Sequence, residues 1–443
     1  MSLPPCSEEP MPENLLNQPL PLPCGAHLPN RLMKAAMTEG LADPFGRVTD
    51  PLVTLYRRWS SGGAGLLITG NVMIDARYLE RPGNIVIDHN EDRSALRALA
   101  EAGTHADNHL WMQISHPGRQ CSRIVNNRPV APSPVQLKLL GNFARPRQLE
   151  VNEIEAAIAG YARVAGVARE TGFSGVQIHA AHGYLISQFL SPLTNKRTDD
   201  WGGDPIRRAR FLLETVQAVR ETVGDDFPIA VKLNSADFQK GGFTLADSCQ
   251  VAAWLQDGGI DFLEVSGGTY EQPRLLGYNG NPDRQQEPVR ESTKRREAYF
   301  LEYAQAIRKS TSTPLAVTGG IRDSAFMNAA LADDELDVIG LARPLCVDPD
   351  LPRKLLQGVA THARRDELDL RLGPGVLGPA SPVAAFRALN TQGGAAWYYR
   401  QIIRLAEGRK PDTELNFSRA LLQHFRDEYR SGFARRRVMR TQK

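Results

Sequence analysis

Eight short apolar runs of strand type recur along the chain, separated by longer stretches with helical periodicity, and this alternation constrains the fold more than any other feature. The runs are at residues 31–36, 65–69, 110–115, 175–179, 228–233, 261–265, 314–318 and 337–341. Most are near-continuous apolar runs, as expected of parallel strands covered on both faces. Between them, Ile154, Ile158, Tyr161, Ala165 and Ala168 form one helical stripe that Gly172 stops. Thr244 and Asp247 make a capping pair that opens a helix through Trp254. Strands alternating with helices predict a parallel sheet, and eight such units predict an α/β (β/α)₈ TIM barrel. An open doubly wound sheet would carry a G-x-G-x-x-G turn after its first strand. Here Met37-Thr38-Glu39-Gly40 follows instead.

The barrel is expected over residues 1–358 and a C-terminal linker and helical extension over 359–443. The stretch from Gly373 to Pro382 is rich in Gly and Pro, and helices are expected over 396–407 and 416–429, joined through Gly408-Arg409-Lys410-Pro411. Arg435, Arg436, Arg437, Arg440 and Lys443 read as a solvated, frayed basic tail. Lys+Arg 53 against Asp+Glu 50 leaves a formal charge of +3, which gives no reason to expect nucleic acid or an acidic membrane surface as partner. No apolar run approaches the roughly 20 residues that span a bilayer. The N-terminal stretch MSLPPCSEEPMPENLL lacks the order of a signal peptide. Five scattered cysteines with no C-x-x-C pair suggest neither a disulfide framework nor a zinc or iron–sulfur site. A cytoplasmic location is the default, and homo-oligomer formation is left open.

In such a barrel the reactive groups belong at the C-terminal ends of the strands. The densest constellation is His179-Ala-Ala-His182-Gly-Tyr184, directly after the fourth run. Two imidazoles and a phenol at a strand end can converge on one oxygen of a substrate. A metal is the other reading of a His pair, but carboxylate ligands at matching strand ends are not obvious.

With its continuation, HAAHGYLISQFLSPLTNKRTDDWGG, this stretch resembles the old yellow enzyme family of FMN-dependent ene-reductases. Asn30-Arg31 with Ala36-Met37-Thr38, Gln113-Ile-Ser-His116-Pro-Gly118-Arg119, and Val231-Lys232-Leu233-Asn234 add to the resemblance, which covers roughly Pro19 to Leu356. It implies non-covalent FMN, with Thr38 at the flavin O4 and N5 end, Gln113 on the pyrimidine edge and Lys232 near N1 and C2=O. Ala36, Met37 and Asn71 join this cofactor set. Gly319, Gly320, Ala342 and Arg343 would hold the phosphate. The implied reaction takes a hydride from NADH or NADPH and passes it to the β-carbon of an α,β-unsaturated carbonyl compound. His179 and His182 would bind the carbonyl oxygen, and Tyr184 would protonate the α-carbon.

The chain departs from the family pattern at Glu39-Gly40, where an aromatic often follows the Thr position, and at Ala342, where Gly is usual. The long polar segment from Glu271 to Arg296 is expected to form part of the substrate rim. No cysteine follows Cys346 and no dinucleotide-type glycine motif follows the barrel, so neither an iron–sulfur centre nor a second dinucleotide region is expected. Three alternatives stay open: an NAD(P)H oxidase with oxygen as acceptor, a lyase or aldolase using Lys232 as a Schiff-base amine, and a non-reductive flavoprotein of a biosynthetic pathway.

Overall fold

The structure, a computed structural model, describes residues 14–89, 91–139, 141–268 and 301–441. The polar segment from Glu271 to Arg296 lies outside the described residues. All eight runs form strands: β1 (Leu32–Lys34), β2 (Leu66–Ile68), β3 (His109–Ser115), β4 (Gly175–Ala180), β5 (Ile229–Asn234), β6 (Phe262–Ser266), β7 (Leu315–Thr318) and β8 (Val338–Leu341). Each pairs in parallel with the next, and β8 returns to β1 through Gly340 opposite Met33, so the sheet is a closed ring. This is the (β/α)₈ barrel that the alternation predicts.

Its helical layer contains α1 (Asp50–Ser60), α2 (Arg93–Gly103), α3 (Val151–Glu170), α4 (Leu185–Leu190), α5 (Pro205–Val223), α6 (Leu245–Asp257), α7 (residues 301–308), α8 (Ser324–Ala332), α9 (Pro344–Val347) and α10 (Leu351–Leu356). The stripe of α3 faces inward, with Ile154, Ile158, Tyr161, Ala165 and Ala168 all buried. Gly172, at φ +91°, turns the chain out of that helix. Thr244 and Asp247 form the expected capping box at the start of α6.

Alternate residues of each strand point into the barrel. Its lower half is an apolar plug of Met33, Ala35, Leu66, Ile68, Trp111, Ala230, Phe262, Ala316 and Val338. Trp111 and Phe262 meet edge to face with ring centroids 5.4 Å apart. Gly175 makes this possible, because a Cβ there would stand 2.5 Å from the indole.

The extension differs from the sequence reading in two ways. The helix expected from residue 396 begins earlier, as α11 (Ala384–Ala406), and runs straight through Gly393-Gly394. Gly393 is not a break: it lies against the ring of Phe417, where a Cβ would come within 2.2 Å of the aromatic carbons. Nor is the described part of the basic tail frayed. It belongs to α12 (Phe417–Thr441), and Arg435 is only 3% exposed, donating to the carbonyl oxygens of Pro44 at 2.7 Å and Ala76 at 3.0 Å. Its guanidinium satisfies barrel-loop carbonyls, a use of charge that composition does not reveal.

Phe262→Ala is expected to destabilise the protein by about 3–5 kcal/mol, the cost of a large cavity in a close-packed interior. The measurement is the shift of the urea midpoint at unchanged slope. A loss below about 1 kcal/mol would mean that the plug is not packed in this way.

Candidate active site

Directly above the plug the barrel interior turns polar. Gln113, Gln177, Lys232, Glu264 and Thr318 point inward from β3, β4, β5, β6 and β7. Glu264 is fully buried and is their common partner. Its Oε2 accepts from Gln177 Nε2 at 2.8 Å, and its Oε1 accepts from Thr318 Oγ1 at 2.6 Å. Lys232 Nζ is 2.9 Å from the same Oε1. Gln113 Nε2 in turn donates to Gln177 Oε1 at 2.6 Å. Charges removed from water survive only when paired and hydrogen-bonded, and these groups meet that condition. Sequence reading found Gln113 and Lys232 but missed Gln177, Glu264 and Thr318. The available signal was a charge inside the apolar run of β6, a position where charged residues are seldom buried without a partner.

At the mouth of the barrel, β4 and the turn after it bring three rings together. The His179 ring lies 5.0 Å from that of His182 and 4.7 Å from that of Tyr184. His182 has φ +61°. This left-handed turn is fastened by a hydrogen bond from the His182 backbone N–H to Asn234 Oδ1 at 3.0 Å, while its Nε2 lies 2.8 Å from Ser266 Oγ. Nδ1 of His179 accepts from the Ala181 N–H at 3.2 Å, which leaves the proton of a neutral ring on Nε2. Burial holds His179 well below the usual imidazole range, and repulsion from His182 and Lys232 adds to it. Burial and Lys232 do the same to His182. Both rings are therefore neutral hydrogen-bonding groups at pH 7. Tyr184 precedes the first residue of α4 and is 4% exposed.

The chain after β1 supplies Ala36, Met37 and Thr38. Thr38 Oγ1 donates to Glu80 Oε2 at 2.9 Å, and Asn71 Nδ2 donates to the same carboxylate oxygen. Asn71 Oδ1 is buried without a protein partner. The departure at Glu39-Gly40 has a local cause. Glu39 turns inward to accept from the Tyr56 hydroxyl and from the Gly70 N–H, the latter at 2.9 Å. Gly40, at φ +70°, lies beneath the Arg81 guanidinium, 2.8 Å from where a Cβ would be. Any side chain there would be strained by the left-handed backbone.

Beyond β7, Gly319 and Gly320 both take positive φ (+125° and +81°), open to backbone approach. Beyond β8 come Ala342 and Arg343. Arg343 lies 3.8 Å and Arg322 3.1 Å from one carboxylate oxygen of Glu367. Two guanidiniums thus face one carboxylate where a phosphate is usually held in this barrel type. Neither Arg322 nor Glu367 was singled out from the sequence, although an arginine two residues past a Gly-Gly turn was a usable signal. These groups fit FMN: a cation and amides over the plug, an unpartnered Asn71 acceptor beside Thr38, and paired arginines at the phosphate end.

The family model described as the NADH:flavin oxidoreductase / NADH oxidase family matches residues 16–362. The chain belongs to this family. It is 37% identical over 356 residues to the NADH-dependent flavin oxidoreductase iliE of Neonectria sp. (strain DH2), covering 76% of this chain and 46% of that protein. The chain thus spans about half the length of that relative. With the NADH-dependent flavin oxidoreductase iccE of Talaromyces variabilis it shares 32% identity over 413 residues, which are 88% of this chain and 98% of that one. Among solved structures, the old yellow enzyme homologue from Zymomonas mobilis matches with a TM-score of 0.64 and 26% identity, over 79% of this chain and 94% of that one. The resemblance to old yellow enzymes therefore holds, and FMN and a nicotinamide reductant come with it. Among the described residues, no group of His, Cys, Asp and Glu is arranged to hold a metal ion, and no helix is long and apolar enough to cross a membrane.

Removing the cation from the polar layer tests its electrostatics without any flavin. Lys232→Met should destabilise the apoprotein by about 3–5 kcal/mol at pH 7, because it strands a buried carboxylate. The measurement is the shift of the urea midpoint at unchanged slope. A loss below about 1 kcal/mol would contradict the pairing.

Proposed function

We propose that the chain reduces the C=C bond of α,β-unsaturated carbonyl compounds with hydride drawn from NADH or NADPH. The observation that carries this reading is the cluster of His179, His182 and Tyr184, two neutral imidazoles and a phenol meeting over a polar layer that contains one lysine. FMN, when bound, supplies the hydride relay between the nicotinamide and the β-carbon. The rest falls to the chain. His179 donates from Nε2 to the substrate carbonyl oxygen, with His182 beside it, and this donation strengthens as enolate charge develops. Being neutral, the rings do not form a tight ion pair with an anionic ground state. Tyr184 gives its phenolic proton to the α-carbon as general acid. One hydride and one proton are thereby added across the double bond, and the nicotinamide is oxidised.

In this reading Lys232 and Gln113 hold the pyrimidine edge of the cofactor, with Thr38, Asn71, Ala36 and Met37 along the other side of its ring. Gly319, Gly320, Ala342 and Arg343 take the phosphate, and Arg322 joins them. The division into a barrel at residues 1–358 and an extension at 359–443 is part of the proposal. The NADH oxidase in the family description keeps oxygen as a rival acceptor, and anaerobic turnover with cyclohexenone separates the two.

Tyr184→Phe should leave flavin reduction by the nicotinamide nearly unchanged. It should slow enone reduction by about 10²–10⁴-fold, the usual contribution of a positioned general acid. Nitroalkenes should suffer less, because their nitronates can leave and take a proton from water. Stopped-flow traces of both half-reactions decide this, and a collapse confined to flavin reduction would assign Tyr184 another role. A second measurement tests the imidazoles. Because burial depresses both, the affinity of a phenol ligand should show no histidine titration between pH 6 and 8. A break centred near the ordinary histidine value of about 6.5 would count against neutral rings.

A further inference from the structure

The helices α11 and α12 lie beyond the residues that the family model matches, yet their side chains reach toward both ends of the candidate cofactor site. At the phosphate end, Tyr398 Oη of α11 donates to Glu367 Oε2 at 3.0 Å. The other oxygen of that carboxylate faces Arg322 and Arg343. At the ring end, the Arg81 guanidinium lies 4.1 Å over the ring of Tyr399 and bonds Glu428 of α12, with Nε at 3.0 Å. Tyr399 is itself stacked on His424 of α12, with centroids 5.2 Å apart and planes 9° from parallel. Arg81 covers Gly40 and directly follows Glu80, which holds both Thr38 and Asn71. Successive residues of a helix point about 100° apart, so Tyr398 and Tyr399 can serve two directions from one turn.

We propose that the C-terminal extension is an integral part of the cofactor site, with Tyr398 and Tyr399 as positioning residues for its two ends. This rests on the reading of the barrel mouth as the FMN site. Tyr398 keeps one oxygen of Glu367 turned away from the arginines. Without that hydrogen bond both oxygens are free to close on Arg322 and Arg343 and compete with a phosphate for them. Tyr399 and Glu428 fix Arg81, and through it the segment that carries Glu80. Without that ring, Thr38 and Asn71 lose a fixed anchor, so the effect is on the ring end and independent of phosphate.

The test compares two ligands that differ only in the phosphate. Apoprotein is titrated with FMN and with riboflavin, following flavin fluorescence and the absorption spectrum of the bound form. Tyr398→Phe should weaken FMN roughly tenfold, as expected for one charge-assisted hydrogen bond, and leave riboflavin unchanged. Tyr399→Leu should weaken both flavins to a similar degree and alter the bound spectrum, and Tyr399→Phe, which keeps the ring, should restore both. Unchanged affinities in Tyr398→Phe, or equal losses of FMN and riboflavin there, overturn the inference. So does a Tyr399→Leu protein that binds both flavins as wild type does. If Tyr399→Leu does not fold, Tyr398→Phe decides alone, because it removes one oxygen and keeps the helix packing. A wild-type chain that binds neither flavin overturns the reading of the site itself.

Discussion

A single buried carboxylate organises the upper half of this barrel. Glu264 joins side chains from three other strands, Gln177, Lys232 and Thr318, and reaches Gln113 on a fourth through Gln177. Burying it costs several kcal/mol unless all of these contacts are made. A one-residue slip of any of these strands would turn its polar side chain out of the barrel and leave the carboxylate unsatisfied. The interaction also has a direction. Glu264 only accepts, so Gln177 must present its NH₂ to Glu264 and its oxygen to Gln113. Gln113 must then present its NH₂ to Gln177, which fixes its own oxygen as the remaining acceptor. An amide that could face either way is thereby oriented from three strands away. Below this layer lies the apolar plug, and above it the imidazoles and Tyr184, so the layer is the floor of the candidate site.

The barrel was legible because its signal is local and repeated. Each strand is a short apolar run, each helix carries its own stripe or cap, and eight repeats leave little freedom of topology. The residues at strand ends were legible for the same reason, since a strand end can be counted from the sequence. Their partners were not. Thr38 and Glu80 are 42 residues apart, Gln177 and Glu264 are 87 apart, and neither spacing has a periodicity that pattern reading could detect. The early start of α11, through Gly393-Gly394, was hidden for a related reason. A glycine in a helical stretch signals a break unless a neighbour needs the space, and that neighbour, Phe417, belongs to the next helix. Arg435 was missed because a basic residue near a terminus is normally solvated, and only the fold reveals the two carbonyls that it meets.

Electrostatics then gives the site a polarity along its length. On the floor, Lys232 is matched by Glu264, and the two histidines over it are held neutral by burial and by the nearby lysine. At the Thr38 end, Glu80 faces neutral donors, while the adjacent Arg81 is matched by Glu428. At the β7–β8 end, Arg322 and Arg343 share Glu367, and that carboxylate is already hydrogen-bonded to Tyr398. Counting only the ion pairs named here among the described residues, the last region carries more guanidinium than carboxylate. In the proposed function an anionic group is drawn there and a neutral planar ring is left for the floor, an ordering that needs no contact to the ring itself. The same reasoning explains why the imidazoles must stay neutral. A protonated His179 would stand beside Lys232, whose carboxylate partner Glu264 already accepts from three donors. In the proposed reaction, a neutral pair is a donor that strengthens as charge develops on the substrate oxygen.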